Sequence, residues 1–325
     1  MSHPPSESTF KTDALTRDLP IETVRLCYAE AIRVAAGLRS QLLARAFATV
    51  PREHYLGPGP WNLAVGAWQY SGARGYITTA DDDPRNLYHD VAVAIDPVRQ
   101  LNNGHPSSLA SFIDSLELGR AEHVFHAGCG VGYYTAIIAH VVGSGGHVTA
   151  VEIDPELASR AKANLAHLDN VTVIEADGLN YDPGVVDAIF INAGVTHPQL
   201  LWLDRLRIGG RLLIPMTCTM PSMGPAKGNL STGSGRMLLV RRVPEKYEAS
   251  FVSPVAIYSS PTGRDPNYNQ ALGQAFREMM IGKRPDVRVL RRDSHSADET
   301  CVLHGEGFCL SVTDGPSKNV RTNDV

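Results

Sequence analysis

The 325-residue sequence lacks a long hydrophobic run, a block of basic residues and closely spaced cysteines. No run reaches the roughly 18 apolar residues that a membrane-spanning helix needs, so we expect no membrane partner. The net charge is −4, with lysine and arginine scattered, which disfavours a protein that binds nucleic acid through its phosphates. Residues 1–18 lack the apolar core of a signal peptide, and we therefore expect a cytoplasmic protein.

The five cysteines form no Cys-x-x-Cys pair, so their spacing predicts neither a disulfide framework nor a zinc site. Cys301 and Cys309 do lie near His295 and His304 in the C-terminal part of the chain. Because this spacing fits no common ligand pattern, we predict no metal site. We expect the segment after residue 262 to act as a lid or to form a homodimer contact.

What the sequence does contain is an alternation of strand-like and helix-like segments from residue 107 onwards. The strand-like runs lie at residues 124–126, 148–153, 171–174, 186–192 and 211–214, and the helical patterns at 108–116, 133–142, 155–165 and 197–203. Such alternation predicts a parallel, doubly wound sheet.

The flanking segments predict a helical N-terminal region and a small C-terminal appendage. Apolar residues recur at helical spacing over residues 21–47, with a break near Gly37. Residues 56–83 are rich in glycine, proline and aromatic residues, so we expect a loop with short strands that either covers the surface or closes over a substrate. Beyond the sheet we predict an antiparallel pair (236–243 and 251–258), one helix (268–280) and two short strands (287–290 and 301–310).

The most informative feature is a glycine-rich turn between a strand and a helix, with Gly128, Gly130 and Gly132 at alternate positions. Glycine permits the tight turn and lets a ligand approach the backbone, and the helix N-terminus offers free N–H groups. Glu152 ends the next strand, about 20 residues further on, where an acid can bind the two hydroxyls of a ribose. These features predict a nucleoside cofactor.

Two further strand ends point to the same edge of the sheet. Asp177 and Gly178 end the third strand, near the expected adenine, and Asn192 ends the fourth. A nicotinamide cofactor would be expected with Gly-x-Gly-x-x-Gly, whereas the third glycine here comes one residue early. That early glycine and the antiparallel pair after the sheet favour S-adenosylmethionine over NAD.

Eight stretches of the chain resemble the protein-L-isoaspartate O-methyltransferase family, within the class I S-adenosylmethionine-dependent methyltransferases. They lie, in the family's order, at residues 46–55, 88–90, 128–136, 151–152, 164–165, 176–178, 209–215 and 239–243. The Val-Pro-Arg-Glu stretch at residues 50–53 is more specific than the glycine turn, which many methyltransferases share. The resemblance extends over roughly residues 22–260.

The resemblance implies S-adenosyl-L-methionine as the methyl donor and S-adenosyl-L-homocysteine as the product. It implies that the three glycines surround the methionine part, that Glu152 binds the ribose, and that Asp177 and Gly178 lie at the adenine. The full predicted cofactor set is His126, Gly128, Cys129, Gly130, Gly132, Tyr133, Glu152, Ile153, Asp177, Gly178 and Asn192.

The expected fold is α/β: a Rossmann-like, doubly wound, mostly parallel seven-stranded sheet with helices on both faces, an N-terminal helical region and a small C-terminal appendage. We divide the chain into a flexible N-terminus (1–18), a helical and loop region over the active site (19–106), the cofactor-binding methyltransferase domain (107–261), an α/β extension (262–312) and a flexible tail (313–325).

Two positions depart from the family. The acid that usually stands two residues before the first glycine is His126 here, either a buried, hydrogen-bonded histidine or a contact to the amino-acid end of the cofactor. The repair enzymes carry a serine at the methyl-transfer site, two residues before a proline, and Gly104 stands at that position before Pro106. The hydroxyl is therefore missing from the acceptor site.

The catalytic candidates are Asn103 and His105. The Asn103 amide can hold a carboxylate or belong to the turn before Gly104. His105 can act as a base toward a hydroxyl or amine, or be an ordinary loop histidine. Tyr133 either packs on the cofactor or belongs to the helix core.

Three functions remain open at this point. The resemblance favours a methyltransferase whose acceptor is a carboxylate of a peptide or protein. The alternatives are an O- or N-methyltransferase of a small metabolite and a cofactor-binding protein without catalysis. Nucleic-acid methylation is disfavoured because Asn192 is followed by Ala-Gly-Val and not by the Pro-Pro-Tyr of such enzymes.

Overall fold

The computed structural model describes residues 17–65, 75–219 and 232–314. These residues form two compact units, which divide between Tyr181 and Asp182. The predicted domain boundaries at residues 106 and 261 stay a prediction. Among the described residues, no helix combines the length and apolar character that crossing a membrane requires.

In the described part of the first unit, from residue 17 onwards, three helices come first. They are α1 (Ile21–Ala36), α2 (Gln41–Thr49) and α3 (Glu53–Leu56). Gly37 ends α1 in the left-handed conformation (φ 61°), and the Ser40 side chain accepts the Leu43 N–H (3.2 Å) to begin α2. The predicted break at Gly37 is therefore confirmed.

Two short antiparallel pairs follow the helices. They are β1 (Asn62–Val65) with β2 (Gly75–Thr78), and β3 (Ala94–Asp96) with β4 (Leu101–Asn102), separated by a 3₁₀ helix at Pro84–Leu87. For the residues that the structure describes, the prediction of a loop with short strands over 56–83 is confirmed. Residues 66–74 of that segment lie outside the described residues.

The alternating part of the first unit matches the sequence prediction closely. Its elements are α4 (Pro106–Ser115), β5 (His123–Ala127), α5 (Tyr133–Val142), β6 (His147–Glu152), α6 (Pro155–Leu165) and β7 (Val171–Glu175). Strands β5, β6 and β7 pair in parallel, with Ala127 opposite Val151 and Glu152 opposite Glu175. Nearly every residue of β5 and β6 is buried, which is typical of parallel strands covered on both faces.

The described residues of the second unit form seven strands and two helices. They are β8 (Val186–Ile191), α7 (Leu200–Arg205), β9 (Leu206–Cys218), β10 (Thr232–Val243), β11 (Lys246–Tyr258), α8 (Pro266–Met280), β12 (Val289–Arg291), β13 (Cys301–Gly305) and β14 (Phe308–Ser311). The strand order is β8-β9-β10-β11-β12-β14-β13. Only β8 and β9 pair in parallel, and the other neighbours are antiparallel.

The count of seven strands and the mostly parallel pairing are not confirmed. The second unit continues after β9 as antiparallel hairpins, and its last three strands add to the edge of β11. The predicted single strand at 301–310 is in fact a hairpin, because the chain reverses at Gly307 in the left-handed region (φ 72°). The predicted antiparallel pair corresponds to β10 and β11 and is confirmed.

Candidate functional site

The glycine turn is fixed to the end of β6 by backbone hydrogen bonds. Gly128 and Cys129 both donate their N–H to the Val151 carbonyl, at 2.8 and 3.2 Å. The φ angles of Gly128, Gly130 and Gly132 are 78°, 56° and 94°, all in the region that favours glycine. No described atom lies within 4 Å of where a Gly130 side chain would begin, so its backbone is open to a ligand.

Glu152 connects the end of β6 to this turn. One carboxylate oxygen accepts the Gly130 N–H (2.8 Å), and the other accepts the Ile153 and Asp154 N–H groups (2.9 and 3.1 Å). The side chain is buried, and that burial raises the pKa of Glu152, against the opposing effect of the three donors. Because a carboxylate oxygen can accept two hydrogen bonds, the oxygen on Gly130 can also accept a hydroxyl.

Ile153, next to Glu152, is an exposed apolar side chain. It is 41% exposed, whereas the β6 residues Ala150 and Val151 before it are fully buried. The next residue, Asp154, caps α6 by accepting the Glu156 N–H (3.0 Å). The end of β6 therefore offers an apolar surface directly beside the ribose-binding candidate.

Asp177 and Gly178 form the turn after β7. The Asp177 carboxylate accepts the Leu179 N–H (3.0 Å) and the Asn180 side-chain amide (2.8 Å), so it stabilises its own turn. A side chain at Gly178 would begin 2.6 Å from the Ala127 Cβ, so this glycine packs directly on the end of β5. The two residues thus border the strand that leads into the glycine turn.

Three predicted cofactor residues direct their side chains into the interior. The His126 Nδ1 lies 3.0 Å from the Thr135 Oγ1 of α5, and burial lowers the pKa of His126 to about 3. The Cys129 thiol is buried, which raises its pKa. The Tyr133 ring packs against Phe47, with 6.4 Å between ring centroids. For His126 and Tyr133 this geometry favours the buried alternatives that the sequence left open.

Asn192 directly follows β8 in the second unit, at the strand end where the sequence predicts it. Its role toward a cofactor stays a prediction.

The acceptor candidates lie between β4 and α4, where Gly104 has a left-handed backbone (φ 84°). A side chain there would begin 2.8 Å from the Leu109 Cδ2, so a serine does not fit without movement. The Gly104 carbonyl accepts the Tyr134 hydroxyl (3.3 Å), which ties this turn to helix α5. Where the repair enzymes have a serine, this chain therefore has a backbone conformation that favours glycine.

His105 is held by a carboxylate that the sequence reasoning had not assigned to the site. Its Nδ1 lies 3.3 Å from the Asp90 Oδ1, which also accepts the Ser107 N–H (2.8 Å). The His105 side chain is 48% exposed. The Ser107 Oγ lies equally close to the same nitrogen (3.3 Å), so Asp90 and Ser107 together orient the ring. Membership of Asp90 in the family-like stretch 88–90 was the signal that could have identified it.

Arg52, in the Val-Pro-Arg-Glu stretch, organises the acceptor side from within. Its side chain is fully buried, and its guanidinium reaches segments of the chain 35 to 51 residues away. It donates to the carbonyls of Leu87 (2.6 Å), His89 (3.1 Å) and Val91 (2.7 Å) and to the Asn103 Oδ1 (3.3 Å). Sequence reasoning recognised this stretch as family-specific but assigned Arg52 no role.

Asn103 is fixed through its oxygen. Besides Arg52, its Oδ1 accepts the Val93 N–H (3.0 Å). Its Nδ2 is buried and bonds to none of the residues that the structure describes. An unsatisfied buried donor is costly, so a ligand oxygen at this position would be stabilising.

The acceptor and donor sides are fastened together by arginines. Arg99, between β3 and β4, pairs with Asp96 and with Asp154 just after Glu152. Arg160 of α6 donates to the Ile95 carbonyl (2.9 Å). The hairpin that leads to Asn103 is therefore anchored beside the residue predicted to bind the ribose.

The fold matches that of known methyltransferases. A solved protein-L-isoaspartate O-methyltransferase aligns with 78% of this chain and 69% of its own, at a TM-score of 0.55 and 21% identity. A putative protein-L-isoaspartate O-methyltransferase from Plasmodium falciparum, solved with S-adenosyl-L-homocysteine, aligns at a TM-score of 0.52 and 15% identity, over 72% of this chain and 97% of that one. The class of protein is thus Rossmann-like α/β, as predicted.

The sequence comparisons identify the family. The family model for protein-L-isoaspartate(D-aspartate) O-methyltransferase matches residues 76–223. Protein-L-isoaspartate O-methyltransferase 1 of Geotalea uraniireducens is 31% identical over 192 residues, which are 57% of this chain and 74% of the relative. The enzyme of the same name from Archaeoglobus fulgidus is 40% identical over 115 residues, 34% of this chain and 53% of the relative. The chain belongs to the protein-L-isoaspartate O-methyltransferase family, although it matches only about half the length of some of these relatives.

Proposed function

We propose that this protein is an S-adenosylmethionine-dependent methyltransferase that acts on a carboxylate of a peptide or protein. The observation that carries the proposal is Glu152, whose buried carboxylate ends β6 and holds the N–H of Gly130 in the open glycine turn. Family membership supports the same assignment. A cytoplasmic location and a homodimer remain expectations from the sequence.

The residues on the donor side fit this cofactor. Glu152 keeps an acceptor position for a ribose hydroxyl, and exposed Ile153 offers an apolar surface for the adenine. Gly128, Gly130 and Gly132 would lie at the methionine part, and Asp177 and Gly178 are proposed for the adenine end. When bound, the cofactor supplies a methyl group on a sulfonium.

On the acceptor side, a carboxylate needs orientation and exclusion of water more than it needs a base. The buried Asn103 Nδ2 is a donor without a described partner, and Arg52 fixes the amide by its oxygen. We therefore assign Asn103 to the acceptor carboxylate. His105, half-exposed beside it in the chain, forms the outer edge of the same site.

One observation favours a second acceptor class. Asp90 and the Ser107 hydroxyl both lie 3.3 Å from the His105 Nδ1, and a carboxylate beside a histidine ring is typical of a general base. A hydroxyl or amine of a small metabolite loses a proton on methylation, whereas an ionised carboxylate has none to lose. The Asp90–His105 pair thus supports O- or N-methylation as the alternative.

Transfer of labelled methyl groups from S-adenosylmethionine distinguishes the proposals. We expect labelling of a peptide pool as base-labile esters that release methanol, and loss of that label in Asn103→Ala. Base-stable label on small molecules, lost in His105→Gln, would support the alternative. Binding of S-adenosylhomocysteine with no transfer to either pool would indicate a non-catalytic protein, and absence of binding in calorimetry would overturn the donor assignment.

A further inference from the structure

Four metal-ligating side chains meet in the C-terminal part of the second unit. His295, Cys301, His304 and Cys309 each offer one ligand atom, and all four atoms lie within 4.8 Å of one another. Cys301 and Cys309 are free thiols. The linear spacing, which matched no common pattern, concealed this convergence because strand pairing brings the four residues together.

A bulge in the β13–β14 hairpin brings these side chains together. Successive side chains of a strand point to opposite faces, so Cys301 and His304, three residues apart, would face opposite sides of a regular strand. A register shift between Cys301 and Leu303 inserts Val302 as an extra residue in β13. The bulge returns Cys301 to the face of His304, whose cross-strand partner is Cys309.

His295 is oriented in the manner of a metal ligand. Its Nδ1 lies 3.0 Å from the Asp293 carbonyl oxygen and 3.3 Å from the Asp293 carboxylate. Its Nε2 lies 3.6 Å from the Cys301 Sγ. Metal-bound histidines commonly donate their other ring nitrogen to a carbonyl or carboxylate in this way.

Two further contacts of the cluster concern His304 and Cys301. The His304 Nδ1 is buried and has no hydrogen-bond partner among the described residues. The Asp298 N–H points to the Cys301 Sγ (3.3 Å), a contact that stabilises a thiolate. A cation at the centre of the cluster would provide a bonding partner for the histidine ring.

The surrounding charges are compatible with a bound dication and two thiolates. Arg291, opposite Cys309 in the sheet, pairs with Asp293 (2.8 Å) and lies 3.7 Å from Asp298. The Arg291 guanidinium, on the strand next to the cluster, is thus held by carboxylates, which keeps its charge balanced.

We propose that His295, Cys301, His304 and Cys309 bind one zinc ion in a closed tetrahedral site. Zinc binds sulfur at about 2.3 Å and imidazole nitrogen at about 2.0–2.1 Å, which places the ligand atoms about 3.4–3.8 Å apart. The observed spread of up to 4.8 Å reaches this geometry by small side-chain movements. With four protein ligands there is no open position, and the ion fastens the loop before β13 to the β13–β14 hairpin.

The test is the metal content of the full chain, purified in reducing buffer and reconstituted with zinc. We expect one zinc per chain by elemental mass spectrometry. Cobalt in its place should give the intense visible bands of a tetrahedral site and a sulfur-to-metal charge-transfer band. An octahedral cobalt spectrum, or no stoichiometric zinc, would overturn the proposal.

Variants assign the ligands. Cys301→Ser and His304→Asn should each lower the zinc content at least tenfold, whereas Cys27→Ser, at an exposed thiol in α1, should leave it unchanged. Circular dichroism checks that each variant is folded, and chelation of the wild type should lower its melting temperature. Full zinc retention in both variants would contradict the proposal, as would a zinc-free, non-reduced chain lighter by the two hydrogens of a disulfide.

Discussion

The donor side of the candidate site is made largely by backbone groups, whereas the acceptor side is held by side chains from distant segments. On the donor side, Glu152 accepts N–H groups from Gly130, Ile153 and Asp154, in two neighbouring strand–turn–helix units. On the acceptor side, Arg52 reaches carbonyls 35 to 39 residues away. Substitutions of side chains should therefore affect the acceptor side more than the donor side.

The largest effect is expected from breaking the acceptor side with Arg52→Met. This change removes the donor from the buried Leu87 carbonyl and from the part-buried His89 and Val91 carbonyls, at about 1–3 kcal/mol for a fully buried group and less for the others. We expect the free energy of unfolding to fall by about 4 kcal/mol in urea denaturation. The exposed control Arg45→Met should change it by less than about 0.5 kcal/mol.

The same variant tests whether the two sides are separable. Calorimetry of folded Arg52→Met should give an affinity for S-adenosylhomocysteine within about twofold of wild type. A loss of cofactor affinity as large as the loss of stability would show that the donor and acceptor sides form one structure and are not separable.

The donor side is broken by Glu152→Ala. Three backbone N–H groups lose their acceptor and the ribose loses its carboxylate, so we expect at least a 100-fold weaker affinity for S-adenosylhomocysteine, about 3 kcal/mol. Isothermal calorimetry measures this directly, with Glu156→Ala, an exposed acid of α6, as the control. Unchanged affinity in Glu152→Ala would remove Glu152 from the cofactor site.

A smaller effect concerns His126, where the family usually has an acid. Because the native pKa is about 3 and the unfolded pKa about 6.5, only the unfolded state takes up this proton as the pH falls below 6.5. The wild type should therefore lose about 2 kcal/mol of stability through this group between pH 6.5 and pH 5.0. His126→Gln should lose correspondingly less over that interval in urea denaturation, and an identical pH dependence would place a charged imidazole in the native state.

The smallest expected effect concerns position 104 on the acceptor side. Gly104→Ser should cost about 1–2 kcal/mol because its φ of 84° is unfavourable for serine. It should not raise isoaspartyl-peptide methylation above the wild-type level while Leu109 occupies the space of the new side chain. The pair Gly104→Ser with Leu109→Ala provides that space and is the control. Higher isoaspartyl activity in the single variant would show that the missing hydroxyl alone limits this activity.

The sequence predicted the donor side better than the acceptor side. The bounds of α5 and α6 and the strand ends at Glu152 and Asn192 could be predicted because glycine, proline and acidic residues act there over a few positions. Arg52 and Asp90 were missed as site residues because their partners are far away in the sequence, and arginine is rarely fully buried. The sequence does not reveal the C-terminal hairpin, because the chain reverses at a single glycine, Gly307, inside a stretch that otherwise resembles one strand.

The spacing of residues in the sequence did not predict the metal-ligand cluster, for a different reason. Linear spacing is informative when the ligands lie on one turn or helix, whereas these four residues depend on the pairing of β13 with β14 and on one bulge. No periodicity in the sequence marks that bulge.

The extra residue at Val302 also determines which genetic changes the hairpin can accept. A substitution of Val302 keeps the residue count of β13 and therefore the side to which Cys301 points. Deleting one codon between Cys301 and Leu303 turns the cysteine to the opposite face while every ligand is still encoded. Among descendants of this gene, the length of that short interval should thus be preserved more strictly than the identity of the residue within it.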